Sequence, residues 1–536
     1  MQTNGEQKTL KQKIDDSETL ERGRRSFFAI IFGRTTIILV LLILQVILLV
    51  LGYQLLRERL YFLNTILLLF SIAVLLHLIN KPRDPESKMV WIVLVLLSPV
   101  FGTLLYIFVL LSPGTRWIDK SLRKSHERAK KYWTQSEVVA QNLSRESNEM
   151  GNLARYVHQR GGFPTYQNTE VQYFASGEEK FEELLRQLQQ AQKFIFMEYF
   201  IVQKGYMWTK ILNILKEKVE EGIEVRFMYD GMCSLSMMPF HYPKQLQKMG
   251  IQCHMFAPIY PVLSTYQNNR DHRKIVVIDG TTAFTGGINI GDEYINRKQR
   301  FGVWKDTAIM LRGDAVRSFT LMFLEMWNVS KGRPLPEGYE QYLEVNQLKM
   351  PAAGDGFVMP YGDSPFDGEL LGAQVYMDIL YTAKDYVHIM TPYLIPDHDM
   401  TTALTYAAKR GVEVIIIMPH IPDKWYAFVL AKTYYPELMD AGVQIYEYTP
   451  GFIHAKSFIA DGRKAVVGTI NLDYRSLYLH FECAAYMYRN AEIEKIEQDF
   501  KNTLKQCQKV TRDDIRKQSW LNQLIGKILR LFAPLM

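Results

Sequence analysis

The chain has 536 residues, 48% of them apolar and 22% charged, and a net charge of +7. That length exceeds the roughly 250–300 residues at which one hydrophobic core stops growing, so several structural units are expected, and the residue balance excludes a disordered, collagen-like or low-complexity chain. A mean hydropathy of -0.10 excludes a polytopic transporter, and the four cysteines show neither a CxxC pair nor zinc-type spacing, so no disulfide framework or structural metal is indicated.

In chain order, a basic tail (residues 1–34) precedes an apolar block (35–111). Residues 35–56 carry no charge, residues 60–79 carry only His77 as a titratable group, and residues 89–111 carry Pro99 and Gly102 near their middle. About 20 apolar residues suffice to cross a bilayer, so two or three transmembrane helices are predicted. Lysine and arginine flank the block on both sides. The positive-inside rule then favours two crossings plus a re-entrant or interfacial third segment, with the large C-terminal region cytoplasmic. Residues 112–155 read as a basic juxtamembrane linker, either lying against anionic headgroups or solvated.

From about Tyr156 the composition is that of an α/β protein, and it repeats itself in halves 156–345 and 346–511. Helix 179–192, strand 193–202, helix 207–220 and strand 222–230 recur as 370–383, 385–395, 399–409 and 411–419, and 248–256 matches 440–448. A duplicated α/β unit on a parallel sheet is predicted. A third shared block reads DHRKIVVIDGTTAFTGGINI (271–290) and IHAKSFIADGRKAVVGTINL (453–472). His272, Lys274, Asp279, Gly286 and Asn289 share their spacing with His454, Lys456, Asp461, Gly468 and Asn471.

His and Lys two apart on a strand point to one face. Asp-Gly between apolar strands is a hairpin signal, so Asp279 and Asp461 are expected to shape turns. On the returning strand the glycines allow close backbone approach, and the Asn amides can donate to an oxyanion. A single His-x-Lys is more often a surface pair. Two in register within a duplicated unit would meet in one cleft, surrounding a small anion with two imidazoles, two ammonium groups and two amides. Phosphodiester chemistry needs such a set: a neutral His to attack phosphorus, a protonated His to serve the leaving alkoxide, and cations for the equatorial oxygens. Neither a metal nor another cofactor is required, since lysines supply the positive charge.

These paired motifs resemble those of the phospholipase D superfamily. The flanking NNRDHRKIVVIDG, AFTGGINIGDEY and VWKDT, then GFIHAKSFIADG and VVGTINLDYRSL, are similar to bacterial cardiolipin synthases, as is WIVLVLLSPVFGTLLYIF in the apolar block. The resemblance covers all but about the first thirty residues. It implies N-terminal transmembrane α-helices followed by an α/β phospholipase D-like fold, with two duplicated halves sharing one active-site cleft. It also implies transfer of a phosphatidyl group from one phosphatidylglycerol to another through a phosphohistidine, giving cardiolipin and glycerol. Hydrolysis, or phosphatidylethanolamine as donor, is the alternative within the same chemistry. The catalytic set it implies is His272, Lys274, Asp279, His454, Lys456 and Asp461, with His272 as nucleophile and His454 as general acid and then base, or the reverse. Lys274, Lys456, Asn289 and Asn471 would hold phosphate oxygens. Asp306 and Glu482 would each orient a histidine across the half boundary, unless Asp306 serves only its neighbour Lys305. The partners implied are the two lipids and the bilayer of a bacterial cell membrane; the apolar block argues against nucleic acid.

The C-terminal segment, 512–536, is an amphipathic helix candidate with Trp520, Leu524, Ile528 and Leu531 towards one side and Lys527 and Arg530 available to headgroups. It either lies on the membrane or docks on the core. GFIHAKS (451–457) fails as a P-loop, because Ala455 stands where that pattern requires glycine. Asp397-His398-Asp399 reads as turn and helix-cap chemistry.

Overall fold

The computed structural model describes residues 61–81, 85–110, 113–259, 268–330, 339–343 and 354–535, with scattered positions between 43 and 54. The expected basic tail and most of the first apolar run lie outside the described residues. In the first half, short aromatic and β-branched runs form β1 (Thr169–Phe174), β2 (Phe194–Tyr199), β3 (Glu224–Asp230), β4 (Gln252–Phe256), β5 (Ile275–Ile278), β6 (Thr282–Gly286), β7 (Val303–Lys305) and β8 (Ala308–Gly313). Seven of them make a sheet in the order β1-β8-β6-β5-β2-β3-β4.

The second half forms β9 (Phe357–Asp363), β10 (Tyr386–Met390), β11 (Leu394–Ile395), β12 (Glu413–Pro419), β13 (Gln444–Tyr448), β14 (Gly451–Ile453), β15 (Ser457–Ala460), β16 (Lys464–Gly468), β17 (Leu472–Asp473), β18 (Glu482–Tyr488) and β19 (Cys507–Lys509). Its sheet runs β9-β18-β16-β15-β10-β12-β13-β19, the first order repeated strand for strand with one extra edge.

The sheets are mixed, a correction to the parallel sheet expected. Within these two sheets β2, β3 and β4, and their counterparts β10, β12 and β13, run parallel, and the other neighbours pair antiparallel. Hairpins that turn at Asp279-Gly280 and Asp461-Gly462, with three residues between the paired strand ends, send the next strands back antiparallel. All four residues have φ between 53° and 67°, the left-handed conformation that such turns demand. Around the sheets, helices form where apolar residues recur on one face. Helix Gly177–Gln189, capped by Ser176, buries Phe181, Leu184 and Leu188. Asp397 caps helix His398–Lys409 by accepting from the Met400 N–H at 2.7 Å, which is the cap chemistry its sequence indicated.

The two halves share a core. Ala283, Ile309 and Leu311 from one sheet bury against Ala465, Val467 and Ala485 from the other. Burial of each large apolar side chain contributes roughly 1.5–3 kcal/mol, which holds the halves in one register.

The basic linker expected over 112–155 falls largely in three α-helices, Pro113–Ala129, Glu137–Glu146 and Asn148–Gly161. Leu143, Met150, Leu153 and Val157 bury in the second-half core. Ile118 and Ala129 bury with the first-half helix Val316–Ser330. Their basic residues occupy the opposite faces, which made the segment read as a linker.

Upstream, Tyr61–Asn80, Pro85–Leu97 and Pro99–Leu110 are helical. No helix among the described residues is long and apolar enough to cross a membrane, so transmembrane helices and a multi-pass topology are not confirmed. The third apolar run is divided at Ser98-Pro99, where proline removes a backbone donor, and doubles back as a helical hairpin. Trp91 and Tyr106 meet edge to face at 5.3 Å. A Cβ on Gly102 would lie 2.5 Å from the Leu94 carbonyl oxygen, so the close approach requires glycine. Ser71 Oγ donates to the Pro99 carbonyl at 2.7 Å, tying the hairpin tip to the preceding helix.

The C-terminal helix Trp520–Phe532 crosses helix Trp425–Ala431 at Gly526, where a Cβ would come within 3.1 Å of the Val429 carbonyl. Trp520, Leu521, Leu524 and Ile528 face outward and are exposed. Arg530 is not free for headgroups: it donates to the Thr433 carbonyl and pairs with Glu437, each at 3.2 Å.

Candidate active site

Each histidine stands in an irregular lead-in to its hairpin, His272 before β5 and His454 between β14 and β15, rather than on a regular strand. Both lead-ins pair their backbone with the opposite half. The His272 N–H donates to the Phe481 carbonyl at 2.9 Å, and the His454 N–H to the Lys305 carbonyl at 2.7 Å. The second contact continues the parallel pairing of β14 with β7. Phe481 and Lys305 each immediately precede a carboxylate, so this pairing sets an acid beside each imidazole. His272 Nδ1 lies 2.9 Å from both carboxylate oxygens of Glu482, and His454 Nδ1 lies 2.7 Å from Asp306 Oδ2. Lys305 pairs instead with Asp499 at 2.7 Å, leaving Asp306 to the histidine.

The two dyads differ. Glu482 also accepts from the hydroxyls of Thr469 and Ser476, whereas Asp306 accepts from the Thr307 N–H at 2.8 Å. Gly287 holds the repeat position that Thr469 holds in the second half. A Cβ there would fall 2.0 Å from Asp306 Oδ1, so the shorter carboxylate depends on a residue without one.

Lys274 Nζ donates to the His272 carbonyl at 2.5 Å, and Lys456 Nζ donates to the His454 carbonyl. Each ammonium thus sits behind its histidine with two further N–H donors, and neither lysine lines the cavity that the imidazoles face. Burial lowers Lys274 to about 8 and Lys456 to about 7. Burial and these lysines hold both imidazoles down: His272 falls far below its ordinary value, while His454 stays at about 4 because Asp306 pulls it back up. Burial raises Glu482 to about 8 against the pull of Lys274. The His454–Asp306 pair is therefore the better place for a proton.

Both imidazoles line a cavity of about 700 Å³ between the halves. Phe200 packs edge-on to His272 at 4.9 Å, and Tyr294 and Trp304 flank His454 at 5.5 and 5.3 Å. Asn289 and Asn471 line the same space. Asn289 is fixed, accepting from the Ile201 N–H at 3.0 Å and donating to the Tyr294 hydroxyl at 2.9 Å, whereas Asn471 Oδ1 is buried with no partner.

Asp279 and Asp461 stand apart from the cavity lining. Asp279 accepts from the N–H groups of Gln192, Lys193 and Phe194 at 2.7–2.9 Å, and Asp461 from those of Lys384, Asp385 and Tyr386 at 2.9–3.1 Å. Each clamps its hairpin to the start of β2 or β10, the turn-shaping part expected of it.

His480, Arg475 and Lys424 also line the cavity. The repeat that exposes the paired motifs holds no His or Arg at matching offsets in the first half, so it carries no signal for the first two. Lys424 lies on a loop outside the shared block. Ligand atoms of His272, His480 and Glu482 lie within 4.8 Å of one another. Glu482 is already engaged by His272, Thr469 and Ser476, and the nearby lysine charge opposes a cation there.

Comparison with known proteins bears on the same residues. A family model described as "Cardiolipin synthase, PLD-like domain" matches residues 184–327 and 376–504, one stretch in each half, and a phospholipase D-nuclease N-terminal model matches 69–109. Cardiolipin synthase 2 of Bacillus cereus is 34% identical over 87% of this chain and 90% of its own. The cardiolipin synthase of Geobacillus thermodenitrificans is 31% identical over 94% and 99%, and an uncharacterized protein of Streptococcus mutans is 52% identical over 87% and 100%. A crystal structure of phosphatidylserine synthase from Haemophilus influenzae shares the fold, with a TM-score of 0.53 at 15% identity over 72% of this chain and 98% of that one. The duplicated halves, their crossed histidine–carboxylate pairs and these matches agree: the chain belongs to the cardiolipin synthase family of phospholipase D-like proteins.

Proposed function

We propose that the protein is a phosphatidyltransferase that makes cardiolipin and glycerol from two molecules of phosphatidylglycerol. The observation that carries this reading is the pair of carboxylate-bound histidines, one from each half, facing a single cavity. With each Nδ1 committed to an acid, Nε2 is left for chemistry. Neutral His272 attacks the phosphorus of the first lipid, and the P–O bond to glycerol breaks as His454 gives that oxygen a proton. An arriving phosphodiester anion raises both imidazoles, His454 further because Asp306 faces it. His454 then takes the proton from the hydroxyl of a second phosphatidylglycerol. That oxygen displaces His272 from phosphorus, so one phosphodiester replaces another and no nucleotide is consumed.

Membrane association is supported by the exposed apolar residues of the N-terminal helices, among them Leu69, Leu76, Leu96 and Leu97, and by the outward stripe of helix Trp520–Phe532. Contiguous exposed apolar surface marks interaction sites. In this reading the hairpin of residues 85–110 is the re-entrant element.

Purified full-length protein in detergent, given radiolabelled phosphatidylglycerol, is expected to release glycerol and form cardiolipin. His272→Ala and His454→Ala are each expected to lose that turnover by about a thousandfold or more. Phosphatidic acid as main product without cardiolipin overturns the synthase reading, and turnover retained by both variants overturns the two-histidine mechanism.

A further inference from the structure

Among the described residues, four cationic side chains line the cavity: Arg270, Arg300, Lys424 and Arg475. Two are already matched with acids. Arg270 is buried on Asp230 at 3.3 Å and donates to the Ala257 carbonyl, and Arg300 lies 3.7 Å from Glu293. Lys424 and Arg475 have no ion pair among the described residues, although Asp423 and Asp473 line the same wall. Asp423 accepts instead from the Tyr393 hydroxyl at 2.6 Å, and Asp473 from the Ser476 N–H at 2.8 Å. Lys424 rests over the Tyr393 ring, 5.0 Å from its centroid. His480, more than nine-tenths buried, has no hydrogen-bond partner at either ring nitrogen, and its ring lies 5.5 Å from that of His272. Its Nδ1 lies 3.8 Å from Glu482 Oε1, too far to hydrogen-bond, and a buried imidazole without a hydrogen bond loses free energy that a ligand hydroxyl can restore.

The second lipid of the proposed reaction carries a phosphodiester of its own, joined to the attacking hydroxyl by a three-carbon glycerol. The histidine motifs provide for the transferred phosphate only. We propose that Lys424, Arg475 and His480 form a second subsite, which binds the phosphodiester and central hydroxyl of the acceptor phosphatidylglycerol while its terminal hydroxyl reaches the phosphorus on His272. This deepens the synthase reading and rests on it. Lys424 and Arg475 neutralise the acceptor phosphate, and uncharged His480 meets the glycerol hydroxyl between the two phosphates. Glycerol itself, as acceptor, has no phosphate to place there.

The test compares two acceptors with one donor. Full-length protein in mixed micelles receives phosphatidylglycerol together with radiolabelled glycerol, and both cardiolipin and labelled phosphatidylglycerol are measured. In Lys424→Gln and Arg475→Gln the ratio of cardiolipin formed to glycerol exchanged is expected to fall about tenfold or more, the effect of one lost charge-assisted contact. An unchanged ratio overturns the proposal. So does a parallel fall of both products, which assigns these cations to the transferred phosphate. Lys424 is exposed, so its variant reports even where Arg475→Gln folds poorly. Wild-type protein that exchanges glycerol but forms no cardiolipin sinks the synthase reading instead.

Discussion

At Lys274 and Lys456 burial works against the charge that the site uses. A lysine whose pKa is lowered is cationic only below the new value, so the positive field behind the histidines fades as pH rises through about 7 and then about 8. kcat/KM for phosphatidylglycerol is therefore expected to decline above pH 7. Bound phosphodiester stabilises both ammonium ions, so the decline in kcat falls at higher pH than that in kcat/KM. Lys456→Arg keeps its charge at any accessible pH. That variant is expected to shift the decline in kcat/KM upward by about one unit, the interval between the two lysines; pH profiles of the two proteins check this, and an unmoved limb assigns the decline to another group. The crossed carboxylates were accessible in sequence only through family likeness. Asp306 follows His272 and Glu482 follows His454, the histidine of its own half, at unequal distances, because a 3-10 turn at Asp292–Ile295 separates motif from acid in one half and a π turn at Arg475–Leu479 does so in the other.

Among elements, the Asp-Gly hairpins were the most legible feature, since turn chemistry is local and the two copies repeat it. What the sequence alone could not specify was how far each aspartate reaches: its carboxylate gathers three N–H groups at the start of a strand roughly eighty residues earlier in the chain. Asp279→Ala removes those charge-assisted bonds and also places alanine at φ 53°. A loss of about 2–4 kcal/mol is expected, read as a lower Tm in detergent, while the protein that remains folded keeps its kcat. Loss of kcat without loss of Tm would return Asp279 to the chemistry. The parallel sheet was half legible for a related reason. Strand–helix–strand alternation marks the parallel part, but antiparallel return is decided by two residues at each hairpin. The helices of 113–161 were not legible because their lysines and arginines dominate the composition while their apolar faces meet partners some two hundred residues away, as Ile118 does in the core it shares with helix Val316–Ser330.

On the scale of the whole molecule, the cavity wall reaches Ala533, immediately past the helix that carries the outward stripe of Trp520, Leu524 and Ile528. Replacing Leu524 and Ile528 together by Asp is expected to lower kcat/KM for long-chain phosphatidylglycerol in mixed micelles about tenfold. Turnover of a short-chain, freely soluble phosphatidylglycerol should change far less, because that substrate needs no interface. Equal loss on both substrates would mark the helix as a purely structural brace. The crossing of acids between halves has a further consequence. Two identical subunits related by a twofold axis would be bound to give both imidazoles the same acid and the same surroundings. One chain holding both copies escapes that bond: a glycine and an aspartate could settle on one side, and a threonine, a serine and a glutamate on the other. Division of labour between otherwise twin histidines, one bonded to phosphorus and one ferrying protons, is a freedom that fusion confers and symmetry withholds.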